Sequence, residues 1–344
     1  MTKISKKIYS LLGALALGVA FSSSANAETF FKMDTGTPGS SVHTVATTLS
    51  TLAHKYADGI TLQVSTGKAA PKSTIQAGDG KVDFYTMAAS INNWLLTGEK
   101  MFKNYKSHKE THDKLRAVFF FPIGAYQFVV YDDSGIKSFH DLKGKKVFAG
   151  PKASGAATVA RDIIEGVAGL KPDEDYDAIS LDWNSAMPAF QDRQVDMYMA
   201  PTSVPSAIIN QVALTNKIRL LDVPEDAMKS PKIAQQLAVP GRTLEVIPPG
   251  TYGDNQVNTA PVNTIGALVG IGTQVGVDDD AVYRLTKAFW EHIDELYSVA
   301  GWTKKINRDS AFNQMNVPLH KGAYRYYKEA GFNIPENVIP PEAN

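Results

Sequence analysis

Two stretches of this chain have the residue types and spacing to hold an anion. Phe30-Phe31-Lys32-Met33 runs into Thr35-Gly36-Thr37-Pro38-Gly39-Ser40-Ser41, and Lys146-Val147-Phe148-Ala149 runs into Gly150-Pro151-Lys152-Ala153-Ser154-Gly155. In each, an apolar run meets a Gly/Ser-rich loop and then a helical pattern. A helix start reached through small residues offers unpaired backbone N–H groups and the positive end of a dipole to a negative charge. One such loop is also what any tight strand-to-helix turn needs. Two of them, far apart in sequence, suggest two lobes that face one ligand. Lys68 and Lys72 flank the Thr66-Gly67 turn at the C-terminal end of an expected strand, where ligands of open α/β sheets collect. Pointing inward they add positive charge to an anion site; pointing outward they are ordinary surface lysines.

Catalytic and metal-ligating patterns are thin. His108, His112 and Asp113 have helical spacing, but the surrounding Lys103-Asn104-Tyr105-Lys106-Ser107-His108-Lys109-Glu110 is uniformly polar and reads as a solvated helix face. The sequence contains no Gly-x-Ser-x-Gly elbow, no His-Glu-x-x-His pair and no phosphate loop ending in Gly-Lys-Ser/Thr, since Gly67-Lys68 is followed by Ala69. Asp83 and Asp196 each follow a valine, in Val82-Asp83-Phe84 and Val195-Asp196-Met197, and read as turn and strand-start residues.

The elements that position these loops alternate between strand and helix. Strands are expected at Phe30–Met33, Ile60–Ser65 and Val82–Met87, with helices at Ser41–Tyr56 and about Pro71–Ala77. Leu115–Pro122 and Tyr126–Tyr131 read as a buried strand and a crossing strand. A second set starts at Lys146, with a helix over Ala156–Val167, a strand near Ala178–Leu181, a helix over Ala186–Gln191 and a strand at Asp196–Ala200. Thr264–Gly272 reads as a returning strand, and the chain from Val277 onward as helical. This is a doubly wound α/β pattern in two lobes with two crossings, so the first lobe is discontinuous.

Met1–Ala27 has the features of a secretory signal: Lys3, Lys6 and Lys7, an uncharged apolar stretch from Ile8 to Phe21, and small residues before a cleavage point after Ala27. The remaining 317 residues, 344 minus 27, exceed what one core usually serves, and contain no cysteine. With the three leader lysines removed, 32 basic residues face 35 acidic ones, a net charge of −3. Without a basic block, nucleic acid is not an expected partner, and no later segment has the length and apolarity of a membrane span.

Specific stretches resemble the TAXI family, the solute receptors of tripartite ATP-independent periplasmic (TRAP) transporters. They are Thr35-Gly36 with Gly39, Asp133-Ser134-Gly135-Ile136-Lys137-Ser138 followed by Asp141-Leu142-Lys143-Gly144-Lys145, Ser154-Gly155, Ala200-Pro201-Thr202, Ile247-Pro248-Pro249-Gly250-Thr251-Tyr252, and Pro318-Leu319-His320-Lys321-Gly322-Ala323 with Tyr326-Tyr327-Lys328-Glu329. The resemblance runs over essentially the whole chain after the leader. It implies a type II periplasmic-binding fold with two lobes, two crossing strands and a cleft between them. The boundaries expected are 1–27 for the leader, 28–125 with 265–344 for the first lobe, and 126–264 for the second. It further implies a periplasmic receptor that catalyses nothing and needs no cofactor. Such a receptor captures a small organic anion, a carboxylate such as glutamate or 2-oxoglutarate, and delivers it to TRAP membrane subunits. A receptor for a tripartite tricarboxylate system or an ATP-driven importer, and an exported enzyme on the same fold, are the alternatives.

Ligand contacts implied by the resemblance are Thr35, Gly36, Thr37, Ser40 and Ser41, then Thr66 and Gly67 with Lys68 and Lys72, then Ser154, Gly155 and Ala156, then Pro201, Thr202 and Ser203, and Tyr252. The chain departs from the family where Ser40-Ser41-Val42-His43 replaces the usual Gly-Thr-Tyr-Tyr, where Lys68-Ala69 and Lys72 stand in place of Gly-Ser…Asn, and where Ala156-Ala157 replaces Thr-Arg. An aromatic wall, an amide and a cation are thereby lost while two lysines appear.

Overall fold

The computed structural model describes residues 28–343. The expected leader lies outside the described residues, and among these no helix is long and apolar enough to cross a membrane.

Ten strands form one curled sheet: β1 Thr29–Asp34, β2 Ile60–Ser65, β3 Phe84–Ala88, β4 Leu115–Tyr131, β5 Lys146–Phe148, β6 Asp177–Ala178, β7 Met197–Thr202, β8 Ile218–Leu220, β9 Arg242–Ile247 and β10 Val262–Gln274. The order is β2-β1-β3-β10-β4-β7-β5-β6, with β8 added on β4 and β9 on β10. β1, β2 and β3 are parallel, as are β5, β6 and β7, which is what βαβ crossovers produce. β4 and β10 run antiparallel to each other between the two sets. The two-lobed α/β arrangement with two crossing strands, expected from the sequence, is the one present.

Pro122 was expected to end a strand, yet β4 runs through it for 17 residues. The reason is a bulge: Pro122 pairs with Leu268 and Gly124 with Ala267, which leaves Ile123 as an extra, unpaired residue. The missing N–H of proline falls where the ladder is already broken. Gly124 has φ +109°, and a Cβ there would lie 2.1 Å from the Thr202 carbonyl oxygen, so glycine is required.

Helix Ser41–Tyr56 buries Val42, Val45, Ala46, Leu49, Leu52 and Ala53, an i, i+3, i+4, i+7 stripe that covers the first parallel set. Helix Gly155–Ala168 does the same for the second through Val159, Ala160, Ile163 and Ile164. Truncating Leu49 to Ala would cost about 2–5 kcal/mol, the range for a buried leucine. Asp83 and Asp196 do the strand-start work expected of them: Lys32 N donates to Asp83 Oδ2 and Lys146 N to Asp196 Oδ2, both at 2.7 Å. The region after Val277 is less helical than expected. Asp278 caps helix Asp279–Glu291, and after two short turns only Lys321–Glu329 forms another helix of comparable length.

Candidate ligand-binding cleft

Where the two lobes meet, a cavity of about 130 Å³ opens between β1, the two helix-start loops and the crossing strands. That is room for on the order of ten waters. Its walls are mostly apolar, with Val42, Ile91, Ile123, Trp183, Pro201, Ile208 and Val269 among them. Ile123 is the bulged residue of β4, and its carbonyl accepts from Ser41 Oγ at 2.8 Å. Trp183 meets Phe148 edge-on and Tyr198 stacks on the same ring, which fixes both aromatic walls from behind. Burial raises the Tyr198 phenol above its usual range, so it stays protonated, and its buried hydroxyl has no hydrogen-bond partner among the described residues.

Arg242 is the decisive residue. It opens β9, opposite Ala267 of β10, and lines the cavity with only 7% of its surface exposed. The segment is held from both sides. Gly241 N donates to Gln314 Oε1 at 2.7 Å, and Leu268 N donates to the Gly241 carbonyl at the same distance. The guanidinium lies 5.8 Å from the ring centroids of both Trp94 and Tyr126, and Nη1 donates to the Tyr126 hydroxyl at 3.4 Å. Nε and Nη2 are buried with no acceptor among the described residues. A buried cation without a partner is costly, and an anion placed between Nε and Nη2 would satisfy it in bidentate geometry.

Both helix starts border the cavity and are partly capped from within. Ser40 Oγ donates to the Thr37 carbonyl at 2.6 Å and accepts from His43 N, and Ser154 Oγ accepts from Ala157 N at 3.0 Å. Ser41 N points to Thr202 Oγ1 at 3.4 Å. Serine caps and a threonine therefore take Ser41 N, His43 N and Ala157 N, whereas the first-turn N–H groups of Val42, Gly155 and Ala156 have no acceptor among the described residues.

A profile of the NMT1-like family matches residues 33–331. The chain belongs to the NMT1-like family. Solved structures similar to this NMT1-like protein include the alkanesulfonate-binding protein of Xanthomonas axonopodis pv. citri bound to MOPS (14% identity, 92% of this chain and 98% of that one covered, TM-score 0.46). Others are a Bordetella pertussis extracytoplasmic solute receptor binding pyroglutamic acid (11%, 88% and 93%, 0.45) and a TRAP periplasmic solute binding protein of Chromohalobacter salexigens with bound D-glucuronate (9%, 91% and 90%, 0.44).

Of the contact residues expected for this NMT1-like chain, Thr35, Gly36, Thr37, Ser40, Lys68, Ser154, Gly155, Ala156, Pro201 and Thr202 line the cavity. Lys68 does so from the exposed rim, whereas Lys72 is exposed and off the cavity wall. Thr66 and Gly67 also stand off it; a Cβ on Gly67 would lie 2.5 Å from Asn184 Nδ2, because that residue reaches across the cleft mouth to accept from Thr37 Oγ1 at 3.0 Å. Ser41 is spent on Ile123 and Thr202, and Ser203 Oγ on the Pro205 carbonyl. Tyr252 is buried behind the site, where its hydroxyl donates to Gln127 Oε1 and accepts from Ser206 N. Gln127 in turn donates to the Thr202 and Ser203 carbonyls, so this trio shapes the loop after β7 without touching the cavity. His108 and His112 sit on helix His108–Lys114, where His108 Nδ1 meets the Leu95 carbonyl, and no three His, Cys, Asp or Glu side chains converge among the described residues.

Sequence reasoning missed Asp34, Thr86, Tyr126, Trp183, Tyr198 and Arg242. The available signal for Arg242 was a lone arginine before Thr243-Leu244-Glu245-Val246-Ile247, an alternating strand pattern after Pro240-Gly241.

Proposed function

We propose that this chain is a periplasmic solute-binding receptor of the TAXI type that captures a small organic acid and hands it to a TRAP membrane carrier, turning nothing over. The observation that carries the reading is Arg242, a buried guanidinium that lines a small apolar cavity at the lobe junction and has two nitrogens without an acceptor among the described residues. Among the described residues no histidine lines this cavity; one hydroxyl meets a carboxylate, Ser73 Oγ to Asp34 Oδ2 at 2.7 Å, and others cap helices or bond to one another, as Thr86 Oγ1 does to Thr35 Oγ1. The TAXI and TRAP assignment is supported by the sequence stretches above, Pro-Gly-Thr-Tyr and His-x-Gly-Ala with Tyr-Tyr-Lys-Glu foremost. The lobes are taken as 28–125 with 265–344 and 126–264, closing over the ligand by bending of the crossing strands, after export and cleavage behind Ala27. One interior cation suits one acid group. A second carboxylate, as in glutamate or 2-oxoglutarate, would have only Lys68 at the exposed rim.

A thermal-shift screen of organic acids tests the reading, since a ligand at 100 times Kd stabilises the native state by about 2.7 kcal/mol. Calorimetry on the best binder should then show Arg242→Met weakening it at least 100-fold, the size of a lost bidentate, charge-assisted pair. Binding within twofold of the parent overturns the proposal.

A further inference from the structure

We infer that the ligand is a zwitterion whose acid group sits on Arg242 and whose protonated amine, at the far end of a short apolar chain, sits on Asp34. This rests on the receptor reading above and narrows it. Asp34 ends β1 and lines the same cavity, with 6% of its surface exposed. The one hydrogen bond to its carboxylate among the described residues comes from Ser73 Oγ, at 2.7 Å to Oδ2, and no lysine, arginine or histidine pairs with it there. The cavity thus holds two buried charges of opposite sign that do not pair with each other. A carboxylate left this way calls for a cationic donor, and a second anion placed beside it would be repelled.

Sheet register sets the spacing. Asp34 pairs with Tyr85 and Tyr85 with Gly272, whereas Arg242 pairs with Ala267, five residues earlier on β10. Five strand residues are roughly 16 Å of backbone, of which the long arginine side chain takes up only part. The register favours a ligand whose two charges are set apart by methylenes over an α-amino acid, which carries both on one carbon. The wall of the same cavity includes Ile91, Ile123 and Val269, which suits methylenes.

The test is calorimetry of the processed protein with 4-aminobutyrate, 5-aminopentanoate and 6-aminohexanoate, each beside its dicarboxylate, its plain monocarboxylate and its α-amino isomer. The best ω-amino acid is expected to bind at least tenfold tighter than its three counterparts. Asp34→Asn should erase that preference while leaving the monocarboxylate within threefold, and Ser73→Ala should reduce the preference by a smaller factor. If Asp34→Asn fails to give a cooperative melt, the wild-type series and Ser73→Ala decide. The inference is overturned if no ω-amino acid binds, if a dicarboxylate, monocarboxylate or α-amino acid binds as tightly, or if Asp34→Asn keeps the preference. In each of those cases acid binding that is lost in Arg242→Met leaves the receptor reading standing; acid binding indifferent to Arg242→Met removes both.

Discussion

Replacing Arg242 by methionine should stabilise the ligand-free protein while destroying its binding. Nε and Nη2 are buried without acceptors, and each such donor costs about 1–3 kcal/mol when left unmade, so about 2–6 kcal/mol is recovered by removing them. Against this stand the 3.4 Å contact to Tyr126 and two aromatic contacts at 5.8 Å. The latter lie near the outer limit for a cation over a ring, where each contributes about 0.5–1 kcal/mol. Methionine has a similar length, flexes to fill the space and carries no polar group. Exchange of an unpaired buried charge for an apolar side chain is then expected to raise stability by about 1–3 kcal/mol. The assay is urea unfolding of both proteins, refolded from denaturant to strip ligand and followed by tryptophan fluorescence, with the midpoint as readout. A midpoint for Arg242→Met below that of the parent would mean that the guanidinium is satisfied in the free protein. The case for an anionic ligand would then lose its foundation.

Gly155→Val places a branched side chain where even a Cβ lies 2.4 Å from Ile91 Cδ1, so it should hold the cleft open. We expect binding at least tenfold weaker and no ligand-induced decrease in radius of gyration by small-angle scattering, and unchanged compaction would contradict this. Burial lowers the pKa of His320, whose side chain caps helix Lys321–Glu329; the unfolded chain therefore binds more protons, and stability present above about pH 6.5 is lost as pH falls through that value toward the folded pKa. Urea midpoints at pH 7.5, 6.5 and 5.5 should fall with a slope of up to about 1.4 kcal/mol per unit from this group, and His320→Asn, which keeps a capping side chain, should flatten it; an equal slope in the variant refutes the assignment. Lys68→Met should slow ligand association two- to fivefold at low salt with little change in dissociation, while Lys72→Met should do neither, and stopped-flow traces that treat the two alike would show that the rim position has no role.

How much could be read from residues alone depended on whether the signal was local. Gly/Ser-rich loops before apolar stripes marked two helices because loop composition and 3.6-residue periodicity are properties of a short window, and Ser41–Tyr56 and Ile60–Ser65 came out to the residue. Pro122 misled because its tolerance depends on a bulge opposite Leu268, a partner 146 positions away in sequence, at 268 minus 122. Helix Ala89–Thr97, with few polar marks at its ends, and the short β8 and β9 carried too little pattern to stand out. Arg242 and Asp34 were invisible for a further reason. What marks them as candidates is that neither has a charged partner among the described residues, and the absence of a partner can be seen only once the whole neighbourhood is assembled.

The continuity of β4 and β10 through both lobes also constrains how this protein can diverge. A strand's side chains alternate faces residue by residue, so deleting a paired residue of Leu115–Tyr131 would exchange its two faces, both of them packed, for the rest of the strand. Insertions and deletions are therefore easier to accommodate in surface loops such as Asp222–Ser230 than at the paired positions of the two crossing strands. New ligands must be acquired by point replacement at fixed positions such as 34, 68 and 242, which makes those columns the place to look when two related receptors differ in diet.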